Sequence, residues 1–201
     1  MRRRGVAIIT QCMLLLGLFV FPTIALSQET RTVVDQLGRT VTIPKKVDRA
    51  VIFMHHALDV TAELDAKDQV VGILSDWREN LPAGFSKLWP GIEKLPTPGD
   101  LANSVNIEEL LKLKPDVAII THYMMDKTGK QIEAAGIPVI ALSFYKAGAE
   151  EASVLNPKLK DPDQAYTLGM KEGVTLMGEI FGKQERAKEL LSYIFKNREL
   201  I

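Results

Sequence analysis

The chain has a single cysteine, Cys12, and it lies within an N-terminal apolar segment. Once that segment is removed no cysteine remains, which excludes disulfides, thiolate metal sites and a cysteine nucleophile. There is no Gly-x-Ser-x-Gly elbow, phosphate-binding glycine loop, dinucleotide fingerprint or His-Glu-x-x-His, so common enzyme signatures are missing. Internal repeats and low-complexity stretches are lacking too. Residues 1–27 contain no acid. Formal charge over the 201 residues is zero, but Arg2, Arg3 and Arg4 account for three of the 25 basic residues. That leaves 22 against 25 acidic ones, a net −3 for the body of the chain. A mildly acidic body argues against nucleic acid as a partner.

What is present begins with Arg2-Arg3-Arg4, an apolar run from Val6 to Leu26 and the small residues around Ser27. This reads as a secretory signal peptide over residues 1–27, which places the rest in the periplasm or outside the cell. The alternative is a retained anchor, since about 20 apolar residues can span a bilayer. Cys12 does not suit lipid attachment, because most of the apolar run follows it. The 174 residues after Ser27 are enough to bury a core without disulfides.

Thr32 to Ile43 has two β-rich runs around Gln36-Leu37-Gly38 and predicts a hairpin closed by Pro44. Ala50 to Met54 and Val70 to Leu74 predict strands on either side of a helix from about Leu58 to Leu64. Residues 79–104 hold four prolines and three glycines and predict an irregular stretch. Trp89 within it is expected to anchor that stretch. Asn106 with Glu109 three residues on predicts a capped helix start. Val117 to Ile120 and Val139 to Leu142 are wholly apolar, as strands buried on both faces are, and the helix between them makes a parallel βαβ unit. From Asp163 the pattern is helical, interrupted at Phe181-Gly182-Lys183. The last helix carries Leu190, Leu191, Ile194 and Phe195 as an apolar stripe expected to lie open, and it has no stop signal before Ile201.

In an open α/β sheet, ligands bind beyond the carboxyl ends of the strands. Those ends carry His55 and His56, then Asp76, Trp77 and Arg78, then His122 and Tyr123, then Tyr145. Aromatic planes with a few polar or charged groups suit a cleft for a large chelate. His55 and His56, as neighbours in an extended segment, are expected to point oppositely. Converging imidazoles of His122 and His55 would be candidate metal ligands. Each residue has a bland alternative: a loop or core hydrogen bond for the histidines, packing for Trp77 and the tyrosines, solvation for Arg78.

The order VVDQLGRTVTIP, VVGI, PTPGD, NIEELLKLKPDVAII and IEAAGIPVIAL resembles class III periplasmic solute-binding proteins, which serve ABC importers of iron–siderophore complexes, haem and cobalamin. The resemblance implies a Rossmann-like α/β N-terminal lobe over residues 28–162, with a parallel central sheet, a preceding β-hairpin and flanking helices. It further implies that residues 163–201 lead into a long inter-lobe helix and that a C-terminal lobe lies outside this sequence. Capture of a metal chelate, delivery to an ABC permease, contact with the membrane only through that permease, no cofactor and no catalysis are implied as well. Glu108 falls where relatives dock on the permease, and Asp59 near a recurring acid; for Glu108 the helix dipole alone also favours a carboxylate. The alternatives are an α/β enzyme or a permease-independent sensor.

Overall fold

A computed structural model describes residues 29–100, 105–148 and 154–198. The expected signal segment, 1–27, lies outside them. Strands β1 (Thr30–Val34) and β2 (Thr40–Pro44) pair antiparallel, with Thr32 opposite Thr42. Gly38 takes φ 75° in the connecting turn, a conformation glycine adopts without a Cβ penalty. A second sheet has the order β4-β3-β5-β6 and is wholly parallel, from β3 (Ala50–Phe53), β4 (Val70–Ile73), β5 (Val117–Thr121) and β6 (Val139–Leu142). Every residue of β3, β5 and β6 is buried, which is why these runs show no alternation of apolar and polar residues.

The hairpin turn closes onto β6, the outer strand on that side. Gln36 N–H donates to the Ala141 carbonyl at 3.2 Å, and the buried Asp35 carboxylate accepts from the Ala141 amide at 3.2 Å. Asp35 is held in turn by the amides of Leu37 and Arg39 and by the Arg39 guanidinium at 2.7 Å. Its charge is thereby satisfied on every side, as a buried carboxylate requires.

The crossover helices are α1 (His55–Glu63) between β3 and β4, α4 (Ile107–Lys112) before β5, and α5 (Lys130–Ala134) before β6. Helix α1 starts earlier than the sequence pattern suggests. Met54 is its N-cap, extended and without a side-chain acceptor, so no capping signal marks the start. The stretch expected to be irregular contains α2 (Trp77–Asn80), α3 (Phe85–Leu88) and a 3-10 turn at Ile92–Lys94. Trp77, Leu81, Phe85, Trp89 and Ile92 turn inward along it, so its own apolar side chains hold it together.

Asn106 caps α4 as expected, its side chain accepting from the Glu109 amide at 3.1 Å. Asn106→Ala is therefore expected to cost about 1 kcal/mol in urea unfolding, with an unchanged m-value. A variant as stable as the parent would show that solvent replaces this cap without loss.

Helix α6 (Pro162–Phe181) is capped by Asp161 and ends at Gly182, φ 67°; α7 (Gln184–Arg198) then packs back on it. The stripe expected to lie open is half-buried at Leu190, Leu191, Ile194 and Phe195. Leu190 and Leu191 pack against the core, and Lys171 Nζ lies 4.6 Å over the Phe195 ring. Among the described residues no helix is long and apolar enough to cross a membrane.

Candidate functional site

After β3 the chain runs outward to β4, then returns to place β5 on the opposite flank of β3. The connections therefore diverge between β3 and β5, and the carboxyl ends of such a pair are where open α/β sheets bind ligands. The residues that leave β3 and β5 there are His55 and His56 on one side, His122 and Tyr123 on the other.

His55 and His56 are not splayed apart. They open α1, where successive side chains turn by about 100° rather than 180°, and their ring centroids lie 4.1 Å apart, tilted by 42°. His56 is exposed and His55 half-buried. His55 Nδ1 is buried with no hydrogen-bond partner. Burial pushes the His55 pKa below 6.5, the charge of His56 pushes the same way, and the Asp76 carboxylate opposes both. Asp59, one turn along α1, has its pKa raised by burial, with His56 acting in the opposite sense.

At the exit of β4, Asp76 Oδ2 accepts from Asn80 Nδ2 at 3.2 Å, while Oδ1 is buried and unpartnered. Trp77 is only 6% exposed, and the guanidinium of Arg78 lies 4.6 Å over its ring. Trp77 thus supports an exposed Arg78 by a cation–π contact and presents little open face of its own.

At the exit of β5, Tyr123 is half-buried, and its pKa is raised by burial and then by the Asp76 carboxylate, which keeps it a phenol able to donate. His122 beside it is 4% exposed. Its ring meets Tyr123 edge-on at 5.4 Å and Tyr145, from the β6 exit, at 5.1 Å. His122 Nε2 lies 2.5 Å from the Tyr145 hydroxyl and 3.1 Å from the Val154 carbonyl. Burial pushes the His122 pKa below 6.5 against the pull of the Val154 and Leu142 carbonyls, so the imidazole is neutral at pH 7.

The eight side chains thus form three groups. His55, His56, Asp76 and Tyr123 make a polar shelf in which the Asp76 carboxylate acts on both His55 and Tyr123, and Arg78 stands exposed over Trp77 at the β4 exit. His122 and Tyr145 form a hydrogen-bonded pair behind Tyr123. No group of three or more His, Cys, Asp or Glu side chains able to hold a metal occurs among the described residues. Glu108 stands exposed in the first turn of α4. Sequence reasoning missed Tyr166, whose ring lies 5.8 Å from Tyr145, and Gln36, which reaches the β6 exit from the hairpin. Neither carries a local signal, since both arrive through tertiary packing. A groove of about 980 Å³ between the hairpin and α6 contains none of the eight.

Molybdate-binding protein MolA of Haemophilus influenzae is 44% identical over 171 residues, which cover 85% of this chain and 48% of that protein. The structure of MolA bound to molybdate matches with a TM-score of 0.81 at 45% identity, covering 85% of this chain and 52% of that one. The petrobactin-binding protein YclQ of Bacillus subtilis matches with a TM-score of 0.60 at 25% identity, over 84% of this chain and 50% of that one. The chain spans about half the length of the curated relatives it matches. The family model described as periplasmic binding protein matches residues 51–197, most of the described fold and every strand exit discussed above, and the chain belongs to that family.

Proposed function

We propose that the chain is the first lobe of an exported solute-binding protein that captures a tetrahedral oxyanion of the molybdate class and delivers it to an ABC permease. The observation that carries this reading is the unpartnered, buried Nδ1 of His55 at the start of α1. That helix has no side-chain N-cap and no acid in its first turn, so its positive end is uncompensated and favours an anion. The Tyr123 hydroxyl adds a donor to the same shelf, Arg78 offers another from the β4 exit two residues after Asp76, and Asp76 supplies a counter-charge for an imidazolium at His55. The 44% identity to a molybdate-binding protein supports the same ligand class.

A large metal chelate, the class implied by the family resemblance, is a second reading. The match to a petrobactin-binding structure favours it. Against it, Trp77 and Tyr145, which would offer flat contact area, are both buried. The function is capture and release, with no bond made or broken, in the periplasm or extracellular space. Glu108, exposed at the α4 start, is proposed to meet the permease.

Calorimetric titration of the two-lobed protein decides between the ligand classes. Molybdate and tungstate are expected to bind, whereas a ferric siderophore, haem and cobalamin give no heat. Binding of any chelate with molybdate silent would overturn the oxyanion reading.

A further inference from the structure

Phe144, which follows the residue leaving β6, has φ 55°. A bulky aromatic in the left-handed region is an outlier that persists only where surrounding contacts enforce it. The contacts here come from a residue more than 100 positions earlier. Gln36 Oε1 accepts from the amides of Ser143 at 3.0 Å and Phe144 at 2.9 Å, and Gln36 Nε2 donates to the Gly169 carbonyl at 2.9 Å. One side chain therefore ties the hairpin, the strained turn and α6 together. Gly173 leaves room for this arrangement, since a Cβ there would sit 2.5 Å from Phe144 Cδ1 and 3.1 Å from Gln36 Oε1. Ser143 Oγ donates to the Tyr145 carbonyl at 2.6 Å, and the Lys146 amide donates to the Ala165 carbonyl at 2.9 Å, fastening the turn from its other side.

The residue this turn delivers is Tyr145, whose hydroxyl stands 2.5 Å from His122 Nε2. We propose that Gln36 is a positioning residue for the ligand cleft: by holding the strained Ser143–Phe144 turn it sets Tyr145 against His122 and thereby fixes the β5–β6 side of the site. The sequence offers no hint of this, because Gln36 reads there only as part of a hairpin turn. Its role in affinity rests on the functional reading above. Its role in the geometry of His122 does not.

Two readouts separate these. In nitrogen-correlated NMR of the histidine side chains, Gln36→Ala is expected to move both His122 ring resonances while leaving those of His56 in place. In the two-lobed protein the same substitution is expected to weaken molybdate binding about tenfold, the equivalent of one well-placed hydrogen bond. In a Tyr145→Phe background, Gln36→Ala should produce no further loss of affinity, because both changes act through one contact. Should Gln36→Ala fail to fold, Gln36→Met decides: it fills a similar volume but neither accepts from Ser143 and Phe144 nor donates to Gly169, so both His122 resonances should move there too. Unmoved His122 signals in Gln36→Ala or Gln36→Met, or fully additive losses with Tyr145→Phe, would each overturn the proposal. Shifted His122 signals without molybdate binding in the parent would keep the positioning role and remove the oxyanion reading instead.

Discussion

Replacing Gly169 by alanine is expected to lower the unfolding temperature by roughly 6–12 °C, although the residue lies inside a helix where alanine is intrinsically favoured. Local propensity alone predicts a gain of about 1 kcal/mol. The tertiary term opposes it and is larger. A Cβ at position 169 would lie 2.0 Å from Tyr145 Cα and 2.3 Å from Tyr145 N and C, all backbone atoms that no rotamer change can move aside. Helix α6 would have to lift from the turn after β6, loosening the Gln36 to Gly169 bond and the Lys146 to Ala165 bond. Overpacking costs about 1–3 kcal/mol when side chains can adjust, and more when backbone must move. Each weakened hydrogen bond adds about 1 kcal/mol. The net expectation is a loss of about 3 kcal/mol, read from urea midpoints at unchanged m-value. Thr175→Ala on the exposed face of the same helix is the control, expected to move stability by no more than about 0.5 kcal/mol. A Gly169→Ala protein at least as stable as the parent would mean that α6 does not press on the β6 exit.

The close approach at Gly169 marks where sequence reasoning stops. The parallel sheet was legible because Val117 to Ile120 and Val139 to Leu142 are apolar without alternation, as only doubly covered strands are. The hairpin and the break at Gly182 were legible for equally local reasons. Where these strands end follows from the same pattern, and with it the rim that gathers the histidines. The start of α1 was not legible, since Met54 gives no capping signal, and so His55 and His56 were read as extended when they share a helical turn. Trp77 reads in the sequence equally well as a stacking surface and as packing. In the structure it is buried in the core, with Arg78 over its ring. The β6 exit depends on Gln36, Gly169 and Gly173, which meet only after folding. Ligand class was the least legible feature of all. The same imidazoles and phenols serve a chelate or an oxyanion, and the balance shifts only with burial and hydrogen-bond partners, which pair His122 with Tyr145 and leave His55 Nδ1 unpaired.

That unpaired nitrogen sets the second large effect: molybdate affinity should fall as pH rises through an interval that opens at the free His55 pKa, below 6.5, and His55→Ala should abolish the dependence. In the free protein, burial and the neighbouring His56 hold the His55 pKa below 6.5, while the Asp76 carboxylate pulls it back up. Asp59 on the same helix acts on His56, and Tyr123 at the β5 exit is coupled to Asp76. An anion against Nδ1 favours the imidazolium and raises that pKa. Between the free and bound values, binding therefore takes up a proton and tightens as pH falls; outside that window the affinity is flat. The charge-assisted hydrogen bond so formed is worth about 1.5–3 kcal/mol, so His55→Ala should weaken binding roughly 10- to 100-fold on the acid side of that window. His55→Asn, which offers a neutral donor, should recover part of the affinity without the slope. Stability of the ligand-free chain should move the opposite way. The unfolded histidines protonate near 6.5 while folded His55 and His122 resist until lower pH, so the unfolded state binds more protons in that interval and acid destabilises the fold. Acid should thus lower the unfolding temperature of the free protein while tightening its grip on the anion, a pair of opposed trends that fixed-charge binding through Arg78 alone would not produce. A pH slope that survives in His55→Ala would move the proton uptake to another group and remove His55 from contact with the anion.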